Sequence, residues 1–497
     1  MIRLAIICFL ISTIRSNECN LNIDDVNQLK HLFDDSERLM EDATRGQSEN
    51  AVIVLGNVRS GKSTLINYLM GNELQAYRES GRFPEIKIKK SNENVTGPEI
   101  GAGSLLVTTI PSKWNSRKTE LQNFDIWDTA GFENSRDEMQ DLNKAFHLYH
   151  LTKKVESLKF ILVIDFNDIR GDNNQQILTL LSILEKYFNG MFKHIFPSIS
   201  VIISKAPKEI INAFPIDDEF LNYKLSTNLL SSSELDIPEV LIDFIHHVIN
   251  NNQRVAFFRK AKTLGRLTSY IDDNIIPAIN NCKSISKESH QNISFPISKR
   301  LELCLQVTND NLLNMNDFTA LTSVVNERYI KNYNYLNNTL DRGVLLQNET
   351  NFQEIYNHLN ISSFVNSNAM SKIEILENSH NTFKNIIKEI NFVNRISLTE
   401  FIDSIIKTKK IVRINILLET ILQLLHDRTS ILISLCQLKL NKIDTNQFHN
   451  IMMEMKTSQK ETIDKLSKKI EREKIPKHEE SFWLKVVWAF TDAAFLQ

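Results

Sequence analysis

A glycine-rich stretch with a lysine and hydroxyl groups is the clearest chemical signal in this sequence. It fits the pattern G-x-x-x-x-G-K-[ST] and lies between an apolar run and a segment of helical length. In that context, the backbone N–H groups of the loop cradle phosphates, and the following helix directs its N-terminus at them. We expect Lys62 to reach the β- and γ-phosphates and the Ser63 hydroxyl to bind Mg²⁺. The predicted nucleotide-binding loop consists of Gly56, Asn57, Val58, Arg59, Ser60, Gly61, Lys62, Ser63 and Thr64.

A carboxylate at the end of a second apolar run adds to this signal. Residues 124–128 have the pattern of a short strand, and Thr129-Ala130-Gly131 follows directly. An aspartate at the carboxyl end of a strand beside a phosphate-binding loop holds Mg²⁺ directly or through a water. We therefore predict Asp128 as a metal ligand and the backbone N–H of Gly131 as a contact for the γ-phosphate.

The elements that must position these residues are short strands alternating with helices. Eleven of the 13 glycines fall between Gly46 and Gly190, so the first half should be rich in loops. Strands and helices that alternate along a chain form a mostly parallel sheet flanked by helices. The fold class expected for the first half is therefore α/β P-loop NTPase. The predicted strands are 51–55, 124–128, 160–165 and 198–204, and the predicted helices are 62–70, 139–152 and 175–187.

The second half has the period of long helices. No proline occurs between Pro296 and Pro476, and apolar residues recur three and four positions apart over 411–440. Similar stripes cover 297–313 and 373–392. We predict an all-helical bundle or stalk from about residue 257 onward, with a possible coiled-coil seam that Arg428 interrupts. The aromatic, amphipathic tail 481–497 is expected to dock on the protein body, with a membrane-surface segment as the alternative.

Composition excludes several functional classes. The chain has 58 Lys and Arg against 60 Asp and Glu over 497 residues, a net charge of −2. It lacks the basic surplus of a general nucleic-acid binder, so no nucleic-acid partner is expected. Its five cysteines lie far apart without metal-ligand spacing, which argues against a zinc module and against a disulfide-dense scaffold. Their spacing leaves open whether any of them pair.

The first residues have the pattern of a secretory signal peptide. Arg3 precedes the uncharged run 4–14, and Ser16 is the expected last residue removed. We expect export through the secretory pathway, with a cytoplasmic or membrane-associated protein as the alternative. Sequons at Asn94, Asn292, Asn337, Asn348 and Asn360 become glycosylation sites only in that pathway. The expected segments are 1–16 (signal-like), 17–47 (helical extension), 48–255 (P-loop domain), 256–480 (helical bundle or stalk) and 481–497 (tail).

The phosphate loop and the run Asp128 to Gly131 together resemble the first and third motifs of the translation-factor-related GTPases. This class contains Ras-like, septin-like, AIG1-like and dynamin-like proteins. The resemblance covers about residues 48–255 and implies a G domain that binds GTP or GDP with Mg²⁺. It also implies a switch threonine that contacts Mg²⁺ and the γ-phosphate. Thr108 and Thr109 are the candidates, and Thr109 is preferred.

Two residues narrow the resemblance to a branch of this class. Phe132 stands where Ras-like proteins carry a water-orienting glutamine, so hydrolysis needs another device. A hydrophobic residue there resembles the septin, AIG1-like and dynamin-like branches, which often hydrolyse GTP on pairing their G domains. We therefore expect a homodimer through the G domains. Arg59 occupies the position of the loop arginine that acts as a catalytic finger in guanylate-binding proteins; a solvated arginine is the alternative.

The family's base-recognition motif is only partly present. Its pattern, Asn/Thr-Lys-x-Asp, should follow the predicted strand 198–204, where this chain reads Ser204-Lys205-Ala206-Pro207. Ser204 and Lys205 are the candidate base contacts, but the aspartate that reads guanine is missing. Such a carboxylate rejects adenine because the wrong base leaves it unpaired. Guanine preference therefore rests on the resemblance, and ATP stays open as a ligand.

These patterns predict a slow, Mg²⁺-dependent GTPase switch whose helical region acts as an effector or self-association element. Arg59 and Thr109 are the candidate catalytic residues, and Ser63, Thr109 and Asp128 are the candidate metal ligands. Two alternatives remain. One is an ATP-using P-loop NTPase, and the other is a pseudo-GTPase scaffold that acts through its helical surfaces.

Overall fold

The computed structural model describes residues 19–441, apart from 20, 47, 49, 79–85, 102–108, 133–136, 172–174, 210–214, 232–236 and 268, together with isolated residues between 449 and 468. The predicted signal-like segment 1–16 and the tail 481–497 lie outside the described residues. Two compact units are present. The first comprises residues 27–303, and the second comprises the residues before 27 and those from 304 onward.

The first unit contains strands that alternate with helices over most of its length. Its strands are β1 (Asn50–Gly56), β2 (Leu74–Arg78), β3 (Ile86–Lys90), β4 (Ser112–Asn115), β5 (Phe124–Asp128), β6 (Ser157–Asp165), β7 (Ile199–Ala206), β8 (Val255–Arg259), β9 (Gly265–Arg266), β10 (Asp272–Asp273) and β11 (Ile285–Ser286). Its helices are α1 (Ile23–Thr44, which begins before the unit), α2 (Lys62–Leu69), α3 (Glu138–Lys154), α4 (Phe166–Arg170), α5 (Gln175–Phe188), α6 (Phe192–Ile195), α7 (Asp218–Leu225), α8 (Glu239–Ile249) and α9 (Ile275–Asn280).

A mostly parallel sheet forms the centre of the first unit. Its strand order is β10-β8-β7-β6-β1-β5-β4, with β11 paired to β6. Parallel pairing joins five of these strands, in the order β5-β1-β6-β7-β8. Antiparallel pairing joins β4 to β5, β10 to β8 and β11 to β6. This is the predicted α/β fold of a G domain. β2, β3 and β9 form a separate three-stranded antiparallel sheet, which was not predicted.

The buried apolar runs of the parallel strands explain why the sheet carries helices on both faces. In β1, Ile53 and Leu55 belong to one apolar core, and Val52 and Val54 belong to the core on the opposite face. Because successive strand residues point to opposite faces, a strand buried on both sides must be apolar throughout. The predicted strand over residues 124–128 is confirmed without a shift at either end.

The sheet continues past the predicted domain boundary at residue 255. Val255–Arg259 is buried throughout and pairs in parallel with β7. β9, β10 and β11 follow, and the long helices begin only at Lys299. The prediction that the chain is all helical from about residue 257 is therefore wrong for residues 257–298. The apolar run that opens this stretch is completed by strand pairing, which composition alone does not reveal.

From Lys299 onward the described chain is helical. The elements are α10 (Lys299–Leu312), α11 (Met315–Asn338), α12 (Arg342–His358), α13 (Ile361–Val365), α14 (Ala369–Ser379), α15 (Asn381–Glu389), α16 (Phe392–Ile406) and α17 (Lys410–Asn441). α17 is the predicted long helix, and it runs through Arg428 without a break. It packs against α11, α12 and α14, so its apolar stripe lies in a bundle core that includes Ile414, Leu418 and Ile421.

The predicted stripe over residues 373–392 is divided among three helices. His380 has extended backbone between α14 and α15, and its Nδ1 accepts a hydrogen bond from the Thr382 N–H at 3.1 Å. A side chain that caps a new helix start in this way ends the preceding helix. Asn391, with φ +51°, makes the next break. The apolar spacing persists across both breaks, which is why the sequence reads as one helix.

A disulfide joins Cys19 to Cys304 in the second unit, across 285 positions of sequence. Cys282 and Cys436 are free and buried. Within the described part of the chain, no helix combines the length and the apolar character of a membrane span.

Candidate functional site

The phosphate loop connects the end of β1 to the start of α2. Gly56 ends the strand with φ +148°, and a Cβ there would lie 2.3 Å from the backbone oxygen of Val163. Gly61 caps α2 with φ +93°. Only glycine adopts these conformations without strain, so the loop passes close to β6 and turns its backbone toward the helix start.

Lys62 lies beneath this loop with only 7% of its surface exposed. Its Nζ donates hydrogen bonds to the backbone oxygens of Gly56 at 3.2 Å and Asn57 at 2.9 Å. Burial lowers the pKa of Lys62 to about 8, and the nearby carboxylate of Asp128 offsets part of that shift. The loop thus holds a desolvated amine that gains strongly from an anionic ligand.

Ser63 and Asp128 meet at the start of α2. The Ser63 Oγ donates to the Asp128 Oδ2 at 2.9 Å, and Asp128 is fully buried at the end of β5. The next residue, Thr129, donates through its hydroxyl to the backbone oxygen of Val54 and so fixes the strand end. A hydroxyl and a carboxylate oxygen are hard ligands of the kind that Mg²⁺ prefers, so this donor pair fits the ion.

The loop after β5 closes against the phosphate loop. Phe132 N–H donates to the Gly56 oxygen and Val58 N–H donates to the Phe132 oxygen, both at 3.1 Å. A Cβ on Gly131 would lie 2.5 Å from the Val58 nitrogen and 2.8 Å from the Lys62 Nζ. The two motifs predicted from sequence therefore come together as one site, with room for glycine alone at this position.

A cavity of about 750 Å³ opens beside these residues, within the range typical of small-molecule sites. We call its two ends the phosphate end and the base end. The phosphate end is lined by Val58, Arg59, Gly61, Lys62, Ser63, Thr64, Thr129 and Gly131. The base end is lined by residues at or after the carboxyl ends of β6, β7 and β8, namely Phe166, Asn167, Arg170, Ser204, Lys205, Pro207, Arg259, Lys260 and Ala261.

Ser204 and Lys205 connect the base end to the phosphate loop. The Ser204 Oγ donates to the Ser60 oxygen at 2.5 Å and to the Ile164 oxygen at 3.2 Å. The Lys205 Nζ donates to the Asp165 Oδ2 and to the Arg59 oxygen, each at 2.6 Å. Buried Ser204 thus braces the loop, whereas exposed Lys205 lies at the cavity wall.

The remaining candidates differ in placement. Arg59 lines the cavity with an exposed side chain and has φ +63°, a conformation uncommon for a residue with a Cβ. Thr109 is exposed just before β4 and does not line this cavity. Thr108, the other switch candidate, lies outside the described residues. Pro207, at the position of the family's aspartate, presents its backbone oxygen to the Arg259 Nη1 at 3.1 Å.

Sequence reasoning missed Asp165 and Arg259. Asp165 ends β6 and forms an ion pair with Lys205. Burial, together with the nearby charge of Asp165, raises the pKa of Asp168. Arg259 ends β8 and braces the base end through the oxygens of Pro207 and Ile216. The signal for Asp165 was available, because it ends a predicted strand and the carboxyl ends of parallel strands share one edge. Arg259 lay outside the predicted domain.

Residues 51–195 match the family model of a 50S ribosome-binding GTPase. The matched segment contains the phosphate loop, β5 with Asp128, and the strands and helices through α6. With the site geometry, this match supports a P-loop GTPase domain of the translation-factor-related class in the first unit. No curated protein matches the chain.

Proposed function

We propose that this protein is a Mg²⁺-dependent GTPase switch that hydrolyses GTP slowly. The observation that carries the proposal is the convergence of Lys62, Ser63, Asp128 and Gly131 at one end of a cavity large enough for a nucleotide. A glycine cradle, a buried amine, a hydroxyl and a carboxylate are the groups that a triphosphate with its metal ion requires.

Each of these groups has a defined part in ligand binding. The Lys62 amine exchanges its bonds to two backbone oxygens for bonds to phosphate oxygens, which carry full charge. Ser63 and Asp128 would hold Mg²⁺, with Thr109 as the proposed switch ligand. When bound, the ion neutralises phosphate charge. The N–H of Gly131 contacts the γ-phosphate, so the loop after β5 senses whether that group is present.

The expectation of slow hydrolysis rests on Phe132, the residue that follows Gly131 in the sensing loop. Phe132 has no group that orients a water, and Arg59 is an exposed cationic side chain of the phosphate loop at the cavity. We propose that Arg59 stabilises the charge of the transferred phosphoryl group. Its exposure leaves room for a second G domain to press it inward, so a homodimer through the G domains is the proposed active form, as in the septin, AIG1-like and dynamin-like branches.

We propose that the start of α10 links the nucleotide site to the helices that follow it in the chain. Gly131 and Phe132 line a small cavity together with Pro296, Ile297 and Leu301. Arg300 also pairs with Glu138, the first residue of α3, at 3.0 Å. The sensing loop and the first turn of α10 thus line one cavity. We propose that the helical region acts as the effector or self-association element of the switch.

Two observations favour the alternatives. The base end has no aspartate at Pro207, which favours an ATP-using NTPase with the same phosphate chemistry. The disulfide between Cys19 and Cys304 favours a secretory destination, because disulfides persist in oxidising compartments. We propose that destination for the chain; a scaffold that acts through its helical surfaces, with membrane contact through the tail, then becomes the second candidate function.

Calorimetric titration of the purified chain with non-hydrolysable GTP and ATP analogues, with and without Mg²⁺, separates these functions. Tight, Mg²⁺-dependent GTP binding with weak ATP binding is expected. Equal binding of both analogues indicates a general NTPase. Absence of binding in the wild-type chain contradicts the switch and leaves the scaffold. Turnover per molecule that does not rise with protein concentration contradicts the pairing of G domains.

A further inference from the structure

The helical unit contains a second, much smaller cavity that two arginines line. Its volume is about 30 Å³, so it accepts one compact group and not a nucleotide. Arg328 comes from α11 and Arg428 from α17, and Tyr329, Asn332 and His380 line the same space. Neither arginine takes part in the nucleotide site.

Both guanidinium groups are partly removed from water. The Nη1 of Arg328 and the Nε of Arg428 are buried, and neither has a hydrogen-bond partner among the described residues. Burial also lowers the pKa of Arg328. A buried cationic donor without a partner costs free energy, and an anion at the same place recovers that cost.

The described residues that line this cavity include no carboxylate. Asp427, the neighbour of Arg428 in sequence, accepts a hydrogen bond from the Gln423 Nε2 at 2.8 Å and lies 3.2 Å from the His426 Nδ1. That carboxylate therefore has other partners. Among the described residues that line the cavity, no acidic side chain balances the positive charge of the two arginines.

The surrounding groups hold the donors in place. The guanidinium carbon of Arg428 lies 4.3 Å from the centroid of the Tyr329 ring, a cation–π contact that fixes its plane. The Nδ1 of His380 accepts from the Thr382 N–H, so in the neutral ring the proton is on Nε2, which is a further donor. Planar guanidinium forks match the paired oxygens of tetrahedral oxyanions.

We propose that the cavity lined by Arg328, Arg428 and His380 binds a tetrahedral oxyanion, a phosphate or sulfate group. The anion is either the free ion or the terminal group of a small phosphomonoester. This site is independent of the proposed GTPase activity, because its residues all belong to the helical unit.

Titration calorimetry of the full-length chain with sodium phosphate, sodium sulfate and glycerol phosphate tests the proposal. The phosphate loop can also bind phosphate, so the comparison is between the wild type and the double variant Arg328→Gln/Arg428→Gln. The double variant should lose one equivalent of bound anion, or at least about tenfold in affinity at one site. The matched control is Arg342→Gln, which replaces an exposed arginine on α12. This variant should bind the same number of anions as the wild type, with the same affinity.

Equal stoichiometry and affinity in the wild type and the double variant would overturn the proposal. Arginine-dependent binding of phosphate and sulfate alone identifies the free ion, and additional binding of glycerol phosphate identifies a phosphate group on a carrier. If the double variant does not fold, Arg328→Lys keeps the charge and removes the fork. Phosphate should then raise the unfolding midpoint of the wild type more than that of Arg328→Lys, and an equal rise rejects the site.

Discussion

The phosphate end and the base end of the nucleotide cavity are assembled in different ways. At the phosphate end, the continuous stretch 56–64 provides the loop, the amine and the hydroxyl, and β5 adds Asp128. At the base end, Lys205 and Arg259 come from the ends of two different strands, and Asp165, which holds Lys205, ends a third. A triphosphate presents the same groups in every nucleotide, so one local motif suffices to bind it. A base is distinguished by contacts whose placement depends on the tertiary fold.

This difference predicts which changes affect all nucleotides alike and which separate one base from another. Changes at the phosphate end should lower the affinities for GTP, ATP and inorganic tripolyphosphate by similar factors. Changes at the base end should leave tripolyphosphate binding unchanged, because tripolyphosphate has no base.

The largest effect is expected for Lys62→Ala. This variant loses charge-assisted hydrogen bonds to phosphate oxygens worth about 2–3 kcal/mol, or roughly 30- to 150-fold in affinity. Calorimetry with GTP and ATP analogues should give the same loss for both. Lys208→Ala, an exposed lysine after β7 outside the cavity lining, should change neither. A loss confined to one nucleotide contradicts the division into two ends.

The next effect concerns the contact between the two phosphate-end motifs. In Gly131→Ala the added methyl group would meet the backbone of Val58 and the Lys62 amine. We expect a loss of about 1–3 kcal/mol in the free energy of unfolding, measured by urea denaturation, and weaker binding of both nucleotides. Gly343→Ala, in the first turn of α12, should stay within about 0.5 kcal/mol of the wild type. Equal stability of the two variants would show that the loops separate easily.

The same division explains what the sequence could predict. The phosphate end follows from local pattern, because a strand, a glycine loop and a helix are consecutive in the chain. The contact between Asp165 and Lys205 spans 40 positions and depends on β6 and β7 being neighbours in parallel. Apolar runs predict that both are strands but do not give the pairing that brings their ends together.

Two other long-range contacts were hidden for the same reason. β9 joins β2 across nearly two hundred residues, and Cys19 pairs with Cys304 across 285. Neither contact has a local signature. The break at His380 is a local feature, but its signal is a histidine side chain that caps a helix, a role that is usual for Ser, Thr, Asp and Asn. The apolar period around it conceals the break.

A smaller effect is expected at the base end. Lys205→Met removes the ion pair with Asp165 and the bond to the Arg59 oxygen. Since 44% of the Lys205 side chain is exposed, the change in stability should stay below about 1 kcal/mol. Affinities for GTP and ATP should change by different factors, of about fivefold at most, while tripolyphosphate binding is unchanged. Lys208→Met is the matched control. A parallel loss for all three ligands would assign Lys205 to the phosphate end.

A pH dependence is expected at the phosphate end alone. The pKa of Lys62 is about 8 in the nucleotide-free protein against an ordinary value of 10.5, mainly because the amine is buried. Between these two values the unfolded chain holds a proton that the folded protein lacks. The free energy of unfolding of the nucleotide-free protein should therefore rise with pH across this window.

Nucleotide binding reverses this proton balance. A bound polyphosphate favours the charged amine and raises the pKa of Lys62, so binding above pH 8 should be accompanied by proton uptake. Affinity should consequently fall as the pH rises above 8. Calorimetry in two buffers of different ionisation enthalpy measures the uptake, and it should be equal for GTP and ATP because the base plays no part. Lys62→Arg stays charged throughout this range, so its uptake should vanish. Uptake that persists in Lys62→Arg would assign the proton to another group, and unequal uptake for the two nucleotides would show that the two ends are coupled.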